Sequence, residues 1–182
     1  MVWSTHPGYG AVSTAEIPLH PVVRALSTAD LDRVMEIEQS AYPFPWTRGI
    51  FEDCLRVGYD CRGLRIGHAL VGYSVQTRAA GECHLLNLCI EPDWQGRGYG
   101  SLLLEQSILL AKAQECSSMF LEVRPSNRAG IALYHKRGFR IVGERPDYYR
   151  ASHGREDALI MRFELNAGTA GGNRLTTSHD PF

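Results

Sequence analysis

The sequence predicts an α+β fold in one domain, with a central sheet that is split or exposed to ligand at one edge. Three observations lead there. Apolar residues recur at helical spacing in four separate segments. Short apolar runs fall between them irregularly: strand, two helices, three or four strands, helix, strand, helix, strands. This is not the regular alternation of a doubly wound fold. Finally, a glycine-rich turn joins a strand directly to a helix at Gln95-Gly96-Arg97-Gly98-Tyr99-Gly100.

Pro21 to Leu26, with Val22 and Val23, reads as a short strand. Ser27 or Thr28 can cap a helix whose apolar face is Leu31, Val34, Met35 and Ile37, and Thr47 can cap a second through Ile50, Phe51 and Leu55. Leu64 to Ile66 and Ala69 to Thr77 read as strands joined by a turn at Gly67-His68. His84 to Ile90 is an almost continuous apolar strand, ended by Glu91-Pro92-Asp93. The helix after the glycine turn carries Leu104, Ile108 and Ala111 on one face. Ser118 to Val123 is the next strand, and Ser126 or Asn127 caps a helix through Ile131, Tyr134 and His135. Gly138 stands where a helix needs a positive φ to stop. Phe139 to Val142 and Ala158 to Phe163 are the last strands.

The chain has 182 residues, with 19 Lys and Arg against 20 Asp and Glu. Nothing in that balance predicts nucleic-acid binding by bulk charge, which leaves only a local patch for it. The five cysteines are odd in number and form no C-x-x-C, so neither a disulfide framework nor a zinc site is expected, and reduced thiols in the cytoplasm fit. No H-E-x-x-H occurs and no metal is expected. No apolar run approaches the roughly 20 residues a membrane span needs. Residues 1–20 lack the pattern of a secretory signal. They and residues 166–182 (Gly, Ser, Thr, Pro and Asn in the main) read as flexible extensions around a domain at 21–165. A monomer is favoured.

A glycine turn opening a helix is an anion site, because unobstructed N–H groups converge beside the positive end of the helix. A diphosphate suits it, and Arg97 can add a charged contact. The P-loop requires a Gly-Lys pair that is missing here. The dinucleotide fingerprint requires G-x-G-x-x-G, and the spacing here is G-x-G-x-G. The remaining phosphate loop is the Q/R-x-x-G-x-G/A turn of acetyl-CoA-binding enzymes, matched by Gln95, Gly98 and Gly100.

Further pieces follow in order: Leu85-Leu86-Asn87-Leu88-Cys89-Ile90 before the turn, then Leu121-Glu122-Val123-Arg124, Asn127, Ala132-Leu133-Tyr134, Gly138-Phe139, Tyr148-Tyr149 and Gly154-Arg155-Glu156-Asp157-Ala158, with Phe44-Pro45-Trp46 upstream. Over residues 21–165 this series resembles the GNAT superfamily and, within it, the RimI family of bacterial ribosomal-protein-alanine N-acetyltransferases. The resemblance implies a splayed mixed sheet with flanking helices. It also implies acetyl-CoA entering where two strands part, with CoA as product. Main-chain groups around Leu88, Cys89 and Ile90 would hold the pantetheine arm and the acetyl carbonyl. The loop of Gln95, Gly96, Arg97, Gly98, Tyr99 and Gly100 would hold the pyrophosphate. By the same resemblance Glu122 is the general base, Tyr134 the general acid, and Asn127 orients the cofactor. Tyr42, Phe44, Trp46, Asn87, Tyr148 and Tyr149 would shape a peptide groove that Glu156 or Asp157 helps to orient. The implied partner is a protein N-terminus, Ala of small-subunit ribosomal protein eighteen, with no direct contact to nucleic acid or membrane. The chain departs from relatives at Gly96, where they often carry a basic residue, and at Pro146 and Asp147.

Each residue also has a plainer reading. Glu122 can be a strand-end charge, Tyr134 core packing, Asn127 a helix cap, and Phe44-Pro45-Trp46 a staple before the second helix. Cys89 reads as a buried strand residue, and His84 and His135 as structural. The joint order of the pieces favours the enzyme. A GNAT acting on a small amine or amino acid, and a non-catalytic acyl-CoA-binding module, are the competing functions. The chemistry suits an α-amine: its pKa is ~7.7–8.0 against ~10.4 for lysine, so deprotonation at pH 7 costs about 1.4 rather than about 4.6 kcal/mol.

Overall fold

The computed structural model describes residues 20–165, so the flexible extensions expected on either side lie outside the described residues, His20 apart. Seven strands form one sheet: β1 (Pro21–Ala25), β2 (Asp60–Ile66), β3 (Ala69–Ala79), β4 (Glu82–Ile90), β5 (Ser118–Val123), β6 (Arg140–Arg150) and β7 (Arg155–Glu164). Their order is β1-β2-β3-β4-β5-β7-β6. Four helices accompany them: α1 (Leu31–Ala41), α2 (Arg48–Arg56), α3 (Tyr99–Ala113) and α4 (Arg128–Lys136). The α+β class and the splayed mixed sheet are as expected.

Neighbouring strands are antiparallel except β4 and β5, which run parallel and pair only from Glu82–Ser118 to Leu85–Leu121. Beyond that point β4 continues to Ile90 with β3 alone beside it. The split begins at a bulge: Val75 faces Asn87 and Gln76 faces Leu85, leaving Leu86 as the extra residue. A bulge bends and twists its strand, and here β4 leaves β5 one residue after the last shared pair.

Apolar periodicity sets what covers the sheet. Leu104, Ile108 and Ala111 of α3 and Tyr134 of α4 pack with Leu85, Leu121 and Met161 on one face. Leu31, Val34 and Ile37 of α1 and Phe51 of α2 pack with Tyr73, Val75 and Cys89 on the other. Glu38 shares that buried stripe of α1. The two helices cover only the β2–β4 part of their face.

Two expectations change in extent. β2 starts at Asp60 rather than Leu64, because at Gly63 the missing Cβ makes room for Leu26 and Leu70 side chains within a polar-looking stretch. The last two strands form a much longer hairpin than Phe139–Val142 and Ala158–Phe163. β6 is an exposed edge strand without apolar alternation, and Pro146 falls inside its register shift, where no ladder N–H is needed. Tyr148-Tyr149 and Arg155-Glu156-Asp157 therefore sit on strands.

β3 and β4 approach closely at Gly72. A Cβ there would stand 2.7 Å from the Cys89 carbonyl oxygen and 2.5 Å from Ile90 Cδ1. Gly72→Ala is expected to cost about 1–3 kcal/mol, lowering Tm by roughly 3–10 °C, and to displace the free edge of β4. Thermal unfolding measures it; an unchanged Tm would show that the strands have room to separate.

Candidate active site

The gap between the diverging strands is a passage of three joined cavities. The middle one, of about 170 Å³, is lined by Glu38, Tyr42, Asn87, Glu122, Tyr134 and Tyr149 among others. On one side it meets a cavity of about 610 Å³ that reaches Gln95, Gly96 and Gly100, sharing Tyr42, Phe44, Leu88, Arg124, Asn127 and Tyr134 with it. On the other it opens into a cleft of about 540 Å³, sharing Trp46, Leu85, Leu86, Leu121, Glu122 and Tyr149.

The large cavity has the donors for an acyl-CoA. The Glu91 N–H bonds the Val71 carbonyl. Strand alternation therefore turns the N–H and C=O of Leu88 and Ile90 toward the edge that β5 has left. The Leu88 carbonyl accepts from Tyr42 Oη at 3.2 Å and the Ile90 carbonyl from Gln95 Nε2 at 2.8 Å, which leaves both N–H groups for a guest. Gly96 and Gly98 have φ of +75° and +84°, and no atom lies within 4 Å of where a Cβ would stand, so a ligand can approach the bare backbone. Helix α3 starts immediately after, and the N–H groups of its first turn have no acceptor within the helix. These features fit a diphosphate joined to an extended arm.

Side chains of the loop do other work. The Arg97 guanidinium lies 5.1 Å from the Trp94 ring centre and donates to the Asp93 carbonyl. Tyr99 packs 6.1 Å from the same ring. Neither side chain lines the cavity as the structure stands. Asn127 Oδ1 accepts from Gly130 N–H at 2.9 Å, so its helix-cap role is real even though it lines both inner cavities.

Tyr134 lies where the two inner cavities meet. Its residue is 8% exposed, and burial pushes its phenol up to about 12. Cys89, in the same wall, is pushed up to about 12 by burial as well. Glu122 projects from the end of β5 and pairs with Arg145 Nε at 3.0 Å. The Tyr148 phenol is raised above its usual value first by its hydrogen bond to Glu122, then by burial. Arg124 stacks 4.3 Å from the Tyr149 ring centre, and burial raises that phenol too.

The peptide-groove residues divide among the cavities. Tyr42, Phe44, Trp46, Asn87 and Tyr149 line the middle cavity; Tyr148 belongs to the outer cleft. Glu156 lies on the large-cavity side, where it holds Arg124 at 3.1 Å and the Ser126 N–H at 2.8 Å. The Ser126 side chain, ahead of that N–H and of Arg124, keeps the Glu156 carboxyl below the usual value. Asp157 accepts the Asp147 N–H at 2.9 Å and secures the bulge of β6, away from all three cavities. Glu38 and Arg145 were not singled out from the sequence. Glu38 had one visible signal, a carboxylate on the apolar stripe of α1. Arg145 had none, since only hairpin register brings it to Glu122.

All five cysteines are buried and free. Among the described residues no cluster of His, Cys, Asp and Glu is placed to hold a metal, and no helix is long and apolar enough to cross a membrane.

Comparison with known proteins agrees with this architecture. The profile of the Acetyltransferase (GNAT) family matches residues 31–139. The [ribosomal protein bS18]-alanine N-acetyltransferase of Salmonella typhimurium is 35% identical over 144 residues, which is 79% of this chain and 97% of that protein. The crystal structure of the ribosomal-protein-S18-alanine N-acetyltransferase from Escherichia coli superposes with a TM-score of 0.77 at 33% identity, covering 85% of this chain and 100% of that one. Ard1 from Thermoplasma volcanium gives a TM-score of 0.73 at 26% identity, with 79% and 97% covered.

Proposed function

The chain belongs to the GNAT family of N-acetyltransferases, and from that premise we propose that it transfers acetyl from acetyl-CoA to the α-amine of a protein N-terminus, with the alanine of ribosomal protein bS18 as substrate. The relatives named for that reaction support it. The observation that carries the choice of a polypeptide over a small amine is the outer cleft. The middle cavity is continued past Glu122 by a second, larger cleft walled by Trp46, Tyr148 and Tyr149. A single amine needs no such exit; a chain entering by its end does. We place the activity in the cytoplasm, where buried free thiols stay reduced.

Bound acetyl-CoA would supply the acetyl thioester. The glycine loop, the first turn of α3 and the free edge of β4 would hold it. Leu88 N–H, on that edge, is a donor for negative charge developing on the acetyl oxygen. Glu122 takes the proton of the entering ammonium, directly or through water, and Arg145 and Tyr148 keep its carboxylate in place. The neutral amine forms the C–N bond as the C–S bond breaks, and Tyr134 gives its phenolic proton to the leaving sulfur and is restored by the second proton the nitrogen sheds in becoming an amide. A phenol at about 12 would be a poor donor to an exposed thiolate, with its usual ~8.5. Burial in the same wall raises the Cys89 thiol too, and a sulfur held there would be shifted in the same direction, which narrows the gap between donor and acceptor.

The test mixes the protein with acetyl-CoA and a short peptide beginning with alanine, following CoA release and peptide mass. Acetylation at the α-amine is expected, and none when that amine is blocked. Turnover of free amines with the peptide inert would move the function to a small-amine acetyltransferase. Acetyl-CoA binding with no amine turned over would reduce it to a binding module.

A further inference from the structure

Two carboxylates line the middle cavity, and their surroundings differ. Glu122 is 26% exposed at its side chain and already paired with Arg145. Glu38 is 1% exposed, and no ion pair involves it among the described residues. Its partners are neutral donors from three directions: the Trp46 N–H reaches Oε1 at 2.8 Å, the Tyr73 hydroxyl donates to Oε2, and Asn87 Nδ2 lies 3.5 Å from Oε2. Taking a carboxylate out of water costs several kcal/mol unless hydrogen bonds or an opposite charge offset it. Here hydrogen bonds hold the group, but nothing neutralises it, and it borders the space an acceptor must occupy.

We propose that Glu38 recognises the acceptor's α-ammonium, holding the charged chain end in the middle cavity until the proton is removed. The proposal rests on the N-terminal acceptor reading above. At neutral pH most α-amines carry the proton, so the species that arrives is a cation, and the passage needs an anion to receive it. Glu122 is less suited to that role because Arg145 already takes up its charge. Glu38 also fixes the wall of the cavity. By accepting the Trp46 N–H it ties the segment after α1 down, and the Tyr42 hydroxyl anchors the same segment to the Leu88 carbonyl. Recognition and wall-building separate experimentally, because only the first depends on the charge of the guest.

The experiment measures binding of two peptides in the presence of CoA, which permits no turnover. One begins with alanine; the other is identical but lacks the α-amine. The wild-type protein is expected to prefer the amine peptide by about tenfold or more, as a charge in a poorly solvated cavity would give. Glu38→Gln is expected to reduce that preference about tenfold while CoA still binds. Glu122→Gln is expected to retain it. No preference in the wild type, a preference that survives Glu38→Gln, or one lost in Glu122→Gln would each overturn the proposal. Equal weakening of both peptides in Glu38→Gln would do the same, leaving the residue as a support for the wall. Should Glu38→Gln lose CoA binding, the wild type and Glu122→Gln decide. If the wild type does not acetylate the alanine peptide at all, the acceptor reading fails first, which is a separate result.

Discussion

Glu122→Gln is expected to lower kcat/KM for an alanine-initiated peptide by about 10²–10³-fold near neutral pH, the lower part of the usual range for a positioned base. The amide keeps the shape of the side chain and can still accept from Arg145, so the fold should hold. Affinity for acetyl-CoA should stay as it is, because Glu122 lines the middle cavity and the outer cleft but not the large one. The size of the loss should depend on pH with a definite sign. Below the amine's pKa of ~7.7–8.0 the base must remove a proton; above it the solution supplies neutral amine and the base matters less. The gap between wild type and variant should therefore narrow as pH rises through 8 or so. Initial rates between neutrality and mild alkalinity measure this, and full turnover by the variant at neutral pH would remove Glu122 from the mechanism.

Tyr134→Phe is expected to lower kcat by about 10²-fold with little change in KM. Its ring packs 5.8 Å from Phe139 in the core, and phenylalanine preserves that contact. What is lost is the proton at Oη. In the wild type burial holds that proton to about 12, so Tyr134 itself should cause no alkaline loss of activity until the pH approaches that value. Stability carries the same signature. A phenol raised above its ordinary ~10 contributes stability that is complete below ~10 and is lost as pH rises through about 12, because the unfolded chain ionises first. The phenylalanine variant should lose less stability over that window. Single-turnover rates and denaturation at alkaline pH test the two statements separately, and an unchanged single-turnover rate would remove the acid role.

Much of this was legible in the chain before any coordinates. Leu104, Ile108 and Ala111 announce α3, and Gly96 and Gly98 announce the turn before it, because helix periodicity and left-handed φ are properties of neighbouring residues. The residues expected to meet around the chemistry included Tyr42, Trp46, Glu122 and Tyr134, and these do line one cavity. Arg97 and Tyr99 were legible as positions but not as orientations. Trp94 decides where both side chains go, and no local pattern reports that stacking. The position of Asp157 was hidden for a similar reason: its partner is the bulge of β6, in a strand that Pro146 disguises.

By itself, then, the sequence determined the kind of fold, the glycine turn before α3 and the candidate chemical groups, since each depends on residue types a few positions apart. Only the tertiary structure decided where β4 leaves β5, that Arg145 rather than a near neighbour pairs with Glu122, and that Glu38 lies buried against the middle cavity. The physical reason is that strand pairing and burial are set between segments distant in the chain. The one residue of slack at Leu86 that opens the site is a matter of register, which local preference does not encode.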